Sequence, residues 1–202
     1  LSKNLSAIEP PIWAALLANS MRAYGYHNIQ ILDCEAENLS PIESANKIEE
    51  YNAKLTVFVV YGQQPSASTQ NMHGVHECLE LLKEINPERK VLLTGLYPSA
   101  VSRKTMTEEK TDFVCQGEGP RTILALLQID NLNDCTKLRK VPGLWYRDEG
   151  RICFTKPAPL ITQDELQTEL PGMAWDLLPM DKYRTSNWHA MSNNNDVAPF
   201  AS

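Results

Sequence analysis

The 202-residue chain contains no run approaching the roughly 18–20 apolar residues that a membrane helix requires. Its opening, LSKNLSAIEPP, holds no apolar signal region. Lys and Arg form no dense block, and a net charge of −6 with a pI near 5.3 argues against a general nucleic-acid or polyanion binder. Cysteine is scarce: Cys34, Cys78, Cys115, Cys135 and Cys153 are widely spaced, odd in number and without a C-x-x-C pair. That pattern fits a reducing compartment better than a disulfide framework, so the chain reads as cytoplasmic. There is no G-x-x-x-x-G-K-[ST] to cradle a triphosphate and no G-x-S-x-G nucleophile elbow. Gly117-Glu118-Gly119 lacks a third glycine and lies late in the chain, which makes a dinucleotide site a weak reading.

What is present is alternation. Pro10-Pro11 open a helical segment, WAALLANSMRAYG, with Gly25 suited to its C-terminal cap. NIQILD predicts a short strand ending at Asp33. Ser40-Pro41-Ile42-Glu43 has the spacing of a capping box and predicts a helix to about residue 52. LTVFVVYG (55–62) is continuously apolar and β-branched, as in a strand covered on both faces. A helix over roughly 70–85, a strand at VLLTG and a short helix near 99–108 follow. The strand DFVCQ then leads into a helix opened by Pro120.

This order predicts an α/β fold: a doubly wound (Rossmann/flavodoxin-like) parallel sheet with helices on both faces. We divide the chain into an α/β domain at 1–128, a β-hairpin and extended linker at 129–184, and a polar tail at 185–202. The hairpin is expected to turn at Asp148-Glu149-Gly150. A doubly wound domain normally starts with a strand, whereas here a loop and a helix come first. The expectation is that a first strand is missing and that the chain is a piece of a larger protein.

Ligands of open parallel sheets bind outside the carboxyl ends of the strands. Those ends carry Gln63, Gln64, Ser66, Ser68, Thr94, Gly95, Tyr97, Pro98, Gly117, Glu118, Gly119 and Thr122. Glycine lets a ligand approach the backbone, and hydroxyls suit a large, mostly neutral molecule. The same residues also suit ordinary strand-to-helix turns, so both readings stand on spacing alone. His73 and His76, three apart on a helix, could ligate a metal, but a solvated helix face is the simpler reading. Cys34 reads as a small buried thiol. Trp13, Trp145, Trp175 and Trp188 share no element and read as packing anchors.

The pieces in their order resemble the N-terminal cobalamin (B12)-binding domain of B12-dependent radical S-adenosylmethionine enzymes. PPIWAALLANSMRAYGYHNIQILD, LLTGLYPSA, DFVCQGEGPRTILALL, VPGLWYRDEGRI and LPGMAWDLLPMDKYR each resemble a family segment, and together they cover about residues 10 to 184. The second and third resemble the segments Gly-Gly-Pro-His-Pro-[ST]-Ala and Asp-x-Val-x-x-Gly-Glu-Gly-Glu-x-Thr. Thr94, Leu96, Tyr97 and Pro120 depart from them.

The resemblance implies that the loops after these strands line the cobalamin tail, with Gly95 and Gly117 to Gly119 against it. It places the loop from Tyr61 to Thr69 toward the corrin. The Asp-x-His-x-x-Gly motif is absent, which implies no histidine ligand to cobalt from these residues. So is C-x-x-x-C-x-x-C, so any [4Fe-4S] cluster and S-adenosylmethionine would be held by a radical domain outside this chain. The implied parent is a methyltransferase acting through methylcobalamin, or a relative that closes or rearranges rings. This fragment alone is expected to bind cofactor and catalyse nothing. On this reading Gly95→Val should abolish cobalamin binding with a modest change in stability. Two rivals remain at this point: a flavodoxin-like binding or signalling module without cobalamin, for which Asp33 is the one strand-end aspartate, and a domain that has lost its ligand.

Overall fold

In the computed structural model of the protein, residues 7–62 and 65–184 are described. Helix α1 (Ile12–Ala23) follows the proline pair, and α2 (Pro41–Glu50) starts at the capping box. There Ser40 Oγ accepts the Glu43 N–H, while the Ser40 N–H donates to Glu43 Oε2 at 2.8 Å. Strand β1 (Thr56–Val60) leads into α3 (Pro65–Ile85), and β2 (Val91–Gly95) into α4 (Leu96–Ala100) and α5 (Ser102–Glu108). Strand β3 (Phe113–Cys115) is followed by α6 (Pro120–Leu127) and the short α7 (Cys135–Leu138). The hairpin of β4 (Leu144–Asp148) and β5 (Arg151–Phe154) comes next, then α8 (Leu166–Glu169) and 3-10 turns at Trp175–Leu177 and Met180–Lys182.

The sheet order is β1-β2-β3-β4-β5, parallel from β1 to β3 and antiparallel from β3 onward. The hairpin therefore continues the sheet instead of standing apart from it. Side chains of a strand alternate between faces, and they divide the core accordingly. Leu92, Phe113 and Cys115 bury against Leu17 and Met21 of α1 and Ile123 and Leu126 of α6. Val91, Leu93 and Val114 bury against Ala45 and Ile48 of α2, Leu79 and Leu82 of α3, and Met106 of α5. The expected doubly wound α/β architecture with helices on both faces is what the chain forms. Among the described residues no helix is long and apolar enough to cross a membrane.

Three local expectations need correction. NIQILD (28–33) is extended but forms no strand, because no described neighbour offers its backbone a ladder. The predicted helix near 99–108 is two helices, broken where Val101 leaves helical geometry at φ −125°, ψ 43°. The segment at 155–184 is not a free extended linker, because it carries enough apolar surface to fold back. Met173, Leu178 and Tyr183 pack with Ala15 and Ala36. Ala174 N–H donates to Ala15 O at 3.1 Å, and Ile8 and Arg184 exchange backbone hydrogen bonds at 2.9 and 3.0 Å. Arg22 grips both oxygens of Asp176 at 2.8 Å. The expected polar tail at 185–202 lies outside the described residues.

Candidate functional site

Parallel pairing brings the carboxyl ends of β1, β2 and β3 to one edge, and the candidate residues sit along it. At the end of β2, Gly95 has φ +123°, and a Cβ built on it would lie 2.6 Å from the Val60 carbonyl carbon. The bare glycine is thus required by the neighbouring strand, whatever lies above it. Ser68, fully buried, ties the same corner together: its hydroxyl donates to Val60 O at 2.6 Å and accepts the Tyr97 N–H at 3.0 Å. Pro98 is buried, and Tyr97 packs against the core on the α3 side. Ser66 is exposed in the first turn of α3. Gln63 and Gln64 lie outside the described residues.

The loop after β3 behaves differently. Gly117, exposed, has φ +119° and nothing within 4 Å of where a Cβ would be, and its N–H donates to Ser99 Oγ at 2.9 Å. Gly119, buried at φ +107°, faces Leu17 of α1 and the Thr94 hydroxyl, with a built Cβ 3.1 and 3.7 Å from them. Glu118 accepts the Ile161 N–H at 2.9 Å, which ties this loop to the returning segment. Thr122 is committed to structure, its hydroxyl donating to Pro142 O at 2.7 Å.

The structure therefore brings Thr94, Gly119 and α1 together and leaves Ser68, Gly95 and Thr122 as framework. Two polar atoms in this region are buried without a hydrogen-bond partner among the described residues: Thr94 Oγ1 and Trp13 Nε1. Orphaned buried polar groups cost about 1–3 kcal/mol each, so a site that keeps two of them calls for an explanation. Cys115 lies near Thr94, but burial pushes its thiol up against the pull of the Thr122 and Thr94 hydroxyls. A neutral thiol is too weak a partner to satisfy a hydroxyl.

Trp13 stacks on Tyr61 at 5.2 Å between ring centroids and 28° between planes. Burial, then Cys115 and Glu118, pushes the Tyr61 hydroxyl up. Sequence reading missed this stack, because Trp13 and Tyr61 lie on different elements. The available signal was that Trp13 lies two residues after the proline pair and Tyr61 directly follows an apolar strand. Trp145 likewise stacks on Phe154 at 4.9 Å and donates from Nε1 to Gln116 Oε1 at 2.9 Å.

Chemically the site offers hydroxyl, indole N–H, backbone amide and aromatic faces. Among the described residues no three His, Cys, Asp or Glu side chains are grouped to hold a metal. His73 instead faces Glu77 at 3.4 Å and His76 faces Glu109 at 2.9 Å on an exposed flank of α3. Glu109 pushes the His76 imidazole up. Asp33 accepts from the backbone N–H of Glu35 and Ala36 at 3.1 and 3.0 Å and from the Tyr183 hydroxyl at 2.9 Å. The aspartate on which a signalling module would depend is therefore engaged in a turn and a packing contact.

With this geometry in view, similarity to known proteins becomes informative. The chain matches the family model for the B12 binding domain over residues 2–127. It is 30% identical over 176 residues to an uncharacterized methyltransferase of Pyrococcus horikoshii, an alignment covering 87% of this chain and 35% of that protein. It is 27% identical over 176 residues to the anaerobic magnesium-protoporphyrin IX monomethyl ester cyclase of Synechocystis sp., covering 86% of this chain and 33% of that enzyme. The cyclase of the same name from Rubrivivax gelatinosus is 25% identical over 177 residues, 86% of this chain and 30% of the enzyme. The chain thus spans about a third of the length of these relatives.

Proposed function

The chain belongs to the B12 binding domain family, and on that premise we propose that the crest between α1 and the loop 116–119 holds the nucleotide tail of cobalamin. The observation that carries this reading is the buried, unpartnered Thr94 Oγ1 beside Gly119, which bears no side chain, together with a second buried orphan, Trp13 Nε1, on α1. A hydroxyl that can donate or accept and an indole N–H that donates suit the polar atoms of a sugar–phosphate and base. The Trp13–Tyr61 stack adds an aromatic wall. Gly117, open and exposed, leaves its backbone approachable.

Each residue has a distinct part in that reading. Thr94 and Trp13 hydrogen-bond the tail, Gly117 and Gly119 give it room, and Ser68 and Gly95 hold the strand ends that carry them. Gln63, Gln64 and Ser66 would face the corrin side. Bound cobalamin supplies a cobalt centre able to carry an alkyl group. The protein's share is binding, orientation and exclusion of water from the reacting face.

For the whole protein we infer a radical S-adenosylmethionine enzyme. A methyltransferase is the leading reading and a ring-closing enzyme the second, which follows the two activities named for the relatives. A [4Fe-4S] cluster and S-adenosylmethionine would belong to a radical domain of the same polypeptide. We infer the cytoplasm as its location, a reading supported by five cysteines that are all free.

The test is a visible-absorption titration with hydroxocobalamin, followed by gel filtration to remove free corrinoid. Near-stoichiometric retention is expected. Loss of all corrinoid from demonstrably folded protein would overturn the reading.

A further inference from the structure

The two walls of the crest meet through apolar side chains. Leu17 and Met21 of α1 bury against Ile123 and Leu126 of α6, and Leu17 is also the neighbour of Gly119. Apolar contact is non-directional, so it favours closeness without fixing register. Directional bonds come from a different part of the chain, and they converge on the residues that flank Gly119.

On one side of Gly119, Glu118 Oε2 accepts the Ile161 N–H at 2.9 Å. On the other, Arg121 reaches the same returning segment with most of its guanidinium. Nη1 donates to Pro159 O at 3.1 Å, Nη2 meets Glu165 Oε1 at 2.8 Å, and Nε and Nη2 both reach Glu169 Oε1 at 3.4 Å. Glu165 is itself fixed, because its Oε2 accepts the Thr162 N–H and hydroxyl at 2.9 and 2.8 Å. The side chains of Arg121 and Glu169 are only 20% and 13% exposed, so solvent screens their contact less than an open surface pair. A guanidinium suits the task, since its planar fork holds several acceptors in a fixed geometry and an ammonium does not.

The same segment holds the opposite wall. Glu169 stands beside Tyr24, the residue that ends α1: burial first, then the Glu169 carboxylate, pushes the Tyr24 hydroxyl up. Further along, Ala174 N–H donates to Ala15 O at 3.1 Å and Asp176 takes both hydrogen bonds from Arg22. Residues 159–176 therefore form a strap that runs from the loop 116–119 past α6 to α1, with polar contacts at both ends.

We propose that Arg121 and Glu169 are positioning residues: through the strap they bridge the loop 116–119 to α1 and fix how far α1 stands from Gly119 and Thr94. Neither has to touch a ligand. The role rests on the reading of this crest as the cobalamin site. Breaking the bridge should loosen the slot without removing any group that lines it, while Ile123 and Leu126 keep α6 packed.

The experiment compares Arg121→Met, Glu169→Ala and the double variant with the parent. In ligand-free protein, amide exchange should quicken about tenfold at Gly117, Ile123 and Ile161, whose N–H groups bond to Ser99, Gly119 and Glu118, and stay unchanged at Leu92 and Leu93 of β2. Hydroxocobalamin retention should weaken about tenfold in each single variant, and the double variant should fall no further, because both changes break one bridge. Glu169→Gln, which keeps an acceptor oxygen in place, should retain corrinoid close to the parent. Should Arg121→Met fail to fold, Arg121→Lys makes the same comparison, with charge kept and the fork lost. Unchanged exchange at the three loop amides would overturn the bridge, and so would exchange that quickens equally in β2. Losses that add in the double variant would overturn the shared role. A parent that retains no corrinoid would instead overturn the cobalamin reading and the positioning role with it, so the two failures are told apart.

Discussion

Gly95 and Val60 end adjacent parallel strands, and a methyl group on Gly95 would lie 2.6 Å from the Val60 carbonyl carbon while the backbone holds φ at +123°. Both features oppose any side chain. The expectation of modest destabilisation in Gly95→Val is therefore corrected: we expect a loss of at least about 4 kcal/mol, close to the lower end of a domain's total stability. Urea denaturation followed by circular dichroism would test this. A folded Gly95→Val protein would show that the two strands can separate at little cost.

Gly117 is the glycine that separates ligand contact from packing. It is exposed, with nothing within 4 Å of a built Cβ. Gly117→Ala should cost only the backbone strain of φ +119°, about 1–2 kcal/mol, and leave the protein folded. Corrinoid retention should fall about tenfold, equivalent to about 1.4 kcal/mol of binding. Retention equal to the parent would remove Gly117 from the site.

For Thr94 the expected effects have opposite signs. Its hydroxyl is fully buried and unpartnered. Thr94→Val keeps the shape and removes the orphan, so the ligand-free protein should gain about 1 kcal/mol of stability. Cobalamin binding should weaken at the same time. Paired denaturation and binding titrations would read both, and stability gained without loss of binding would assign the hydroxyl no ligand role.

The Glu49–Arg89 pair predicts an acid-side dependence of stability. Glu49 accepts from Arg89 Nε at 2.6 Å and Nη2 at 2.9 Å, and from Asn86 Nδ2 at 2.9 Å. Arg89, then Asn86, holds the Glu49 carboxyl below its ordinary 4.5 against the opposing effect of burial. A depressed folded value means the stabilisation is complete above the unfolded pKa and is lost as pH falls through the folded one. Glu49→Gln should cost about 2 kcal/mol at neutral pH, and the difference from the parent should shrink as pH drops below 4.5. A pH-independent difference would contradict the assignment.

Arg22 and Asp176 join α1 to the returning segment through two hydrogen bonds of 2.8 Å, on a surface where Asp176 is 66% exposed. Exposed ion pairs add little to global stability. Asp176→Ala should leave the unfolding midpoint unchanged and speed tryptic cleavage at Lys182, which follows the pair in the chain. Unaltered cleavage would show that Met173, Leu178 and Tyr183 hold the segment by packing alone.

What the sequence determined by itself is what neighbouring residues determine: Pro41 and the Ser40–Glu43 box start α2, Pro120 starts α6, and the apolar runs at 56–60 and 91–95 are strands. These signals are local, and from them the doubly wound fold and the edge carrying Thr94 and Gly117 to Gly119 were legible. Only the tertiary structure decided that Gly95 yields to Val60 and that Trp13 lies on Tyr61. It alone decided that 155–184 folds back on α1, and that NIQILD finds no ladder partner among the described residues. The reason is physical: a cap or a proline acts within a turn of itself, whereas a steric clash, a ring stack or a ladder hydrogen bond needs a partner that the fold alone brings near.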